Sequence, residues 1–174
     1  MPTPEPATLT TARLRLRPWR PDEAATVRAL WEQRDSRVPP HRRIDSEGEP
    51  SVERLASRMA EPSSNPLGPL AVEERATGQA VGYCGLVTSD RTPAGEPELA
   101  LELLRRVQGR GYATEAGQAV LEWAATQGFT AVGATVWDWN LAARRVLAKL
   151  GFVETGTSWP DPERGSTLLT MRRL

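Results

Sequence analysis

Residues 98–116 read ELALELLRRVQGRGYATEA. Leu99, Leu101 and Leu103 alternate with Glu98, Ala100 and Glu102, the period-2 pattern of a half-buried strand. The strand runs into a basic turn punctuated by glycine, Arg105-Arg106-Val107-Gln108-Gly109-Arg110-Gly111, and a helix opens at Tyr112-Ala113-Thr114-Glu115-Ala116. Such a turn exposes backbone N–H groups, and the helix start adds unpaired donors and the positive end of its dipole. Gly109 and Gly111 permit positive φ and a close backbone approach. Strand, turn and helix start together predict a pocket for a phosphorylated ligand.

Outward from that stretch the chain falls into simple elements. Arg13-Leu14-Arg15-Leu16-Arg17 alternates and stops at Pro18, which predicts a first strand near a sheet edge. Pro21-Asp22-Glu23 opens a helix with Ala24, Val27, Leu30 and Trp31 inward, and Val52 to Ala60 has helical spacing too. Leu70 to Glu73 and Ala80 to Val87 are strands flanking the hairpin turn Ala76-Thr77-Gly78-Gln79. The helix after the glycine turn buries Ala116, Ala119, Val120, Trp123 and Ala124 and ends at Gly128. Ala131 to Trp137 is a strand, Asn140 caps a helix closed by Gly151, and Phe152 to Glu154 and Thr167 to Met171 supply two last strands around a Pro160-Asp161-Pro162 turn. Residues 38–50, 62–69 and 89–97 read as loops, residues 1–8 as a flexible tail, and residues 9–174 as a single domain without internal repeats.

With 22 basic and 22 acidic residues the net charge is zero, so nothing draws the whole chain to nucleic acid or an anionic membrane, and any basic site is local. Cys84 is the only cysteine and His41 the only histidine, which excludes an intrachain disulfide and any metal site built from several of either. No metal is expected. The proline-rich start lacks the charged-then-apolar order of a secretory leader, and no apolar run approaches membrane-spanning length, so a cytoplasmic protein is expected. Cys84, in an apolar strand, reads as a core residue.

On these residues the chain resembles the GNAT superfamily of acyl-CoA-dependent N-acetyltransferases, and within it the branch of ribosomal-protein N-terminal alanine acetyltransferases. The likeness covers nearly the whole chain. Its most specific pieces are Gln108-Gly109-Arg110-Gly111-Tyr112-Ala113, which fits the family's Q-x-x-G-x-A pyrophosphate motif, and the helix from Asn140 to Gly151-Phe152. The resemblance implies an α/β (α+β) fold, a mixed and mostly antiparallel seven-stranded sheet flanked by about four helices. It implies acetyl-CoA as cosubstrate, an amine acceptor, and permits a homodimer. Backbone amides of Gln108, Gly109, Arg110, Gly111, Tyr112 and Ala113, with Thr114 beside them, would hold the coenzyme A pyrophosphate. The edge at Leu101 and Leu103 would pair with the pantetheine arm where two strands splay apart, and the Leu103 N–H would polarise the thioester carbonyl. Asn140 would position the pantetheine or acetyl group, and Arg144 and Arg145 would approach the phosphates.

The acceptor chemistry is less defined. Positions where relatives carry a serine or tyrosine acid hold Ala143 and Leu147 here. Glu98 and Glu102 are candidates for taking the amine proton, against the alternative of two solvated or salt-bridged strand carboxylates. At pH 7 an α-amine of pKa about 8 is roughly a tenth neutral, whereas a lysine amine near 10.4 is neutral at a few parts in ten thousand. The expected activity is therefore acetylation of a protein or peptide N-terminal α-amine; the alternatives are a small amine such as an amino acid or aminoglycoside, or an acyl-CoA-binding sensor that transfers nothing. Arg105, Arg106 and Arg110 read as a phosphate-attracting patch, and Trp137 and Trp139 as either core or acceptor-pocket residues.

Overall fold

The structure, a computed structural model, describes residues 8–61, 65 and 67–174. Most of the tail expected over residues 1–8, and part of the 62–69 loop, lie outside the described residues. The elements in chain order are β1 (Leu9–Thr10), β2 (Leu14–Arg17), α1 (Ala24–Glu32), α2 (Val52–Ala60), β3 (Pro69–Glu74), β4 (Gln79–Val87), β5 (Glu98–Leu103), α3 (Tyr112–Thr126), β6 (Ala131–Trp137), α4 (Leu141–Lys149), β7 (Val153–Asp161) and β8 (Gly165–Arg173). They form one eight-stranded sheet in the order β1-β2-β3-β4-β5-β6-β8-β7, antiparallel throughout except between β5 and β6.

The mixed, mostly antiparallel architecture follows the sequence reading, with eight strands among the described residues rather than seven. The added strand, β1, is a two-residue pair on β2 whose Leu9 faces Leu16, too short to leave a periodic signal. The terminal hairpin is longer than its apolar residues indicate. Its strands continue through Trp159 and Pro160 to a turn after Asp161, with a register shift between Glu154 and Ser158. Pro160 is tolerated because β7 is an edge strand.

The core joins Leu14 and Leu16 of β2, Val72 of β3, Val81, Cys84 and Leu86 of β4, Leu99 and Leu103 of β5 and Val120 and Leu121 of α3. Cys84 is fully buried, and that burial pushes its thiol pKa well up.

The decisive feature is the join of β5 and β6. Each is fully paired on its outer side, β5 with β4 from Glu98 to Leu103 and β6 with β8 from Ala131 to Trp137. Towards each other they share one bridge, Glu98 with Gly133. Beyond it the strands diverge and the sheet opens as a V. The Leu104 N–H donates to the Val81 carbonyl at 2.9 Å, which with the β4–β5 register fixes the alternation of the ladder. The N–H and C=O groups of Leu99, Leu101 and Leu103 therefore turn towards the gap.

Candidate active site

A cleft of about 630 Å³ occupies the opening of the V. Glu98 sits at its apex. The Thr135 N–H donates to Glu98 Oε1 at 3.1 Å, and the Thr135 hydroxyl donates to the same oxygen. In a continuing parallel ladder that N–H would bond a β5 carbonyl, as Gly133 does to Pro97 at 2.9 Å. The Glu98 carboxylate has replaced that bond, ending the pairing of β5 with β6. Its second oxygen, Oε2, accepts from no described residue, and Glu98 lines the cleft.

Glu102, four residues along the same face, is differently employed. Arg34 donates to it from Nη2 at 2.6 Å and from Nε at 2.9 Å, and the Tyr83 phenol donates to Oε2 at 2.9 Å. Arg34 also reaches the Arg42 carbonyl at 2.6 Å and lies 4.6 Å over the Trp31 ring. Burial, with the Glu102 carboxylate beside it, raises the Tyr83 pKa far above that of a free phenol. Both oxygens of Glu102 are thus occupied. The salt-bridged alternative weighed for the two strand carboxylates is the geometry found at Glu102, not at Glu98. Arg34, Tyr83 and Thr135 were not singled out in the sequence; only the shared parity of Tyr83 and Glu102 on paired strands hints at their contact.

Past Leu103 the chain makes a short 3-10 turn over Arg105–Val107 and then the glycine turn. Gly109 and Gly111 have φ of 76° and 81°, the left-handed region that favours glycine. The consecutive N–H groups from Gly109 to Thr114 donate to no described residue, and a Cβ on Gly109 would meet nothing within 4 Å. Free amides at the N-terminus of a fifteen-residue helix form an anion cradle. The Gln108 side chain faces inward instead, donating from Nε2 to the Leu103 carbonyl at 2.9 Å, which braces the turn on the strand end.

The turn is held from behind by groups with no obvious sequence signal. Arg13 donates to the Arg110 carbonyl at 2.8 Å and pairs with Glu115 at 2.7 Å. Burial alone would raise the Glu115 pKa, but hydrogen bonds from Thr11 and Arg13 prevail and lower it. The Tyr112 phenol donates to Glu74 at 2.6 Å and its ring is buried, so this side chain anchors the helix while its N–H stays free. The three arginines of the expected patch are exposed and each has a neighbour in the protein. Arg105, which lines the cleft, bonds the Gln33 carbonyl at 2.6 Å, and Arg106 reaches Gln79 at 3.4 Å. Arg110 lies 3.6 Å from Glu74.

On the opposite wall Asn140 caps α4, its Oδ1 accepting from the Ala143 N–H at 3.1 Å. Its side-chain amide donates to no described residue, and Asn140 lines the cleft with Ala143 and Leu147. Arg144 is not among the residues lining the cleft; Glu154 at 2.6 Å and the Asp138 carbonyl at 3.0 Å engage its guanidinium. Trp137 and Trp139 stack with centroids 5.9 Å apart, and both line the cleft rather than the core. His41 lines it as well. No helix among the described residues is long and apolar enough to cross a membrane.

Comparison with known proteins agrees with this geometry. Residues 13–153 match the family model of the acetyltransferase (GNAT) domain. No curated protein matches the sequence. Among solved structures, Mycobacterium smegmatis RimJ in complex with CoA-disulfide is similar with a TM-score of 0.78 at 23% identity, over 97% of this chain and 88% of that one. An acetyltransferase from Agrobacterium tumefaciens str. C58 aligns at 25% identity and a TM-score of 0.68, over 97% and 95%. A putative ribosomal-protein-serine acetyltransferase from Vibrio cholerae aligns at 19% and 0.72, over 98% and 99%. The family uses acetyl-CoA, and the free amides of the turn, the open edge of β5 and the absence of any side chain over Gly109 suit such a ligand. By its domain match and its open-sheet architecture, the chain belongs to the GNAT family and is an acyl-CoA-dependent N-acetyltransferase.

Proposed function

We propose that the protein acetylates the α-amine of a protein or peptide N-terminus, with Glu98 as the group that takes the amine proton. The observation that carries this reading is the apex of the V, where one carboxylate oxygen is fixed by Thr135 and the other is free to face the cleft. Acetyl-CoA supplies an activated acyl carbon and a thiolate leaving group.

The chain's own groups do the rest. N–H groups from Gly109 to Thr114, in the segment that Gln108 braces, hold the diphosphate, and Arg110 adds a nearby cation. Running from the turn towards the apex, the arm meets the Leu103 edge first, which bonds the pantetheine amides; the Leu101 N–H, nearer Glu98 than that of Leu103, polarises the thioester carbonyl, and the Asn140 amide orients the arm from the other wall. The amine nitrogen attacks the carbonyl carbon, the C–S bond breaks, and the proton lost by nitrogen passes to Glu98 Oε2. Ala143 and Leu147 offer no acid, and a thiol of pKa about 8.5 leaves without one.

A single well-placed carboxylate oxygen is enough for an amine that is already a tenth neutral at pH 7, and is a poor match for a lysine side chain. A polycationic aminoglycoside would need several unpaired acids, which the cleft does not offer among the described residues. Thiol release from acetyl-CoA, measured against N-terminal peptides, the same peptides with blocked N-termini, free amino acids and aminoglycosides, tests the reading. Turnover is expected with unblocked peptides; turnover confined to sugar or side-chain amines would overturn it.

A further inference from the structure

The carboxylates lining the cleft are mostly neutralised inside the protein. Arg34 pairs with Glu102, Arg37 with Asp35 and Arg164 with Asp161. Three lining guanidiniums are exceptions. Among the described residues, no carboxylate lies within 4.0 Å of Arg42, Arg91 or Arg105, and Arg105 is the one beside the glycine turn. In a chain with as many acids as bases, an unpaired arginine at a ligand cleft points to a charge that the ligand brings.

Arg91 has a fixed place. It lies in the loop before β5, and its guanidinium sits 4.9 Å over the Trp159 ring. Trp159 of β7 pairs with Thr167 of β8, and Thr167 pairs on its other side with Trp137 of β6. Directly paired residues point to the same face of a sheet. Trp137, Thr167 and Trp159 thus form one row across three strands, with the cleft above it and Arg91 at its outer end. Trp137 is two residues beyond Thr135, which holds Glu98, so the row begins where the amine is handled.

Strands lie about 4.8 Å apart, so the row from Trp137 to Trp159 spans roughly 10 Å. The row is longer than a free amino acid, whose amine and α-carboxylate sit on one carbon. It suits an extended peptide, which advances about 3.3 Å per residue, carrying an acidic side chain at its second or third position.

We infer that the acceptor is a peptide N-terminus laid over the Trp137–Thr167–Trp159 row, with a carboxylate at residue two or three bound by Arg91. This inference rests on the α-amine reading. Three peptides sharing an N-terminal alanine, with Glu-Glu, Gln-Gln or Lys-Lys at positions two and three, would be compared by thiol release from acetyl-CoA. The acidic peptide is expected to exceed the neutral one in kcat/KM by roughly fivefold, through KM, the scale of one exposed ion pair. Arg91→Gln should bring the ratio close to one, and Arg91→Glu should shift the preference to the lysine peptide. Arg91 is exposed, and a thermal scan of each variant excludes misfolding as the cause. Equal rates for all three peptides, or a preference that survives Arg91→Gln, would overturn the inference and leave the α-amine reading standing. No turnover of any of the three would overturn both.

Discussion

Replacing Arg34 by methionine asks what Glu102 does. Their side chains are 10% and 23% exposed and meet at 2.6 Å, with a second guanidinium bond at 2.9 Å. Methionine keeps the volume and removes the charge, leaving a largely buried carboxylate with only the Tyr83 phenol, 2.9 Å away. Breaking a buried pair in this way costs 3–5 kcal/mol; because Glu102 keeps some contact with water, the lower end applies, about 3 kcal/mol. For a domain of this size that is a fall of roughly 6–12 °C in Tm. Glu102→Gln still accepts from Tyr83 but strands the Arg34 charge, and should lose a similar amount. The double variant should lose less than the sum of the two by about 1 kcal/mol or more, because each single change leaves an unmatched charge that the second removes. Thermal unfolding followed by tryptophan fluorescence, with kcat measured alongside, checks all three. A Glu102→Gln enzyme with unchanged Tm and a hundredfold lower kcat would refute the reasoning and make Glu102 the base.

Glu98→Gln keeps an oxygen for the Thr135 donors but cannot accept the amine proton, so kcat/KM at pH 7 should fall by about a hundredfold or more with little change in Tm; an unaltered rate would remove Glu98 from the chemistry. Gly111→Ala forces a Cβ onto a residue at φ 81°, a cost of about 1–2 kcal/mol that should appear as weaker coenzyme A binding by calorimetry, near tenfold. The folded-state pKa of Glu115 is lowered below 4.5, so its bonds to Thr11 and Arg13 stabilise the protein fully above that pH and are lost as pH falls through the folded value; Tm of wild type should drop more steeply than that of Glu115→Gln below pH 4.5. Cys84, fully buried with its thiol pKa raised, should resist thiol reagents until the protein unfolds.

Elements with a long periodic signal were legible in the sequence. The span Ala131–Trp137 of β6, the α2 helix and the Asn140 cap coincide with the structure because each is written in local alternation, helical spacing or cap chemistry. The glycine turn was legible for the same reason: positive φ leaves a mark in composition. What escaped depends on partners distant in the chain. Arg34 and Glu102 are 68 residues apart, Arg13 and Glu115 are 102 apart, and Tyr112 and Glu74 are 38 apart. A charged residue in sequence carries no sign of which opposite charge will neutralise it. The sequence assigns Arg105 and Arg144 to phosphate and carries no sign of Gln33 or Glu154, to which tertiary packing bonds them. Thr135 escaped for a subtler reason, since a threonine in a strand is unremarkable until its N–H is seen to leave the ladder.

The single bridge at Glu98 and Gly133 divides the sheet mechanically. On one side β1 to β5 form a continuous leaf, on the other β6, β8 and β7 form a second, and the two are hinged along one line. The carboxylate that pins this hinge is the one proposed to take the amine proton. Any motion that widens or narrows the gap between the leaves pivots about that carboxylate, so it stays in place while the ligand slot changes width. For an engineer the corollary is restrictive: the slot can be reshaped away from the apex, but on that proposal an alteration at residue 98 changes the aperture and the chemistry together.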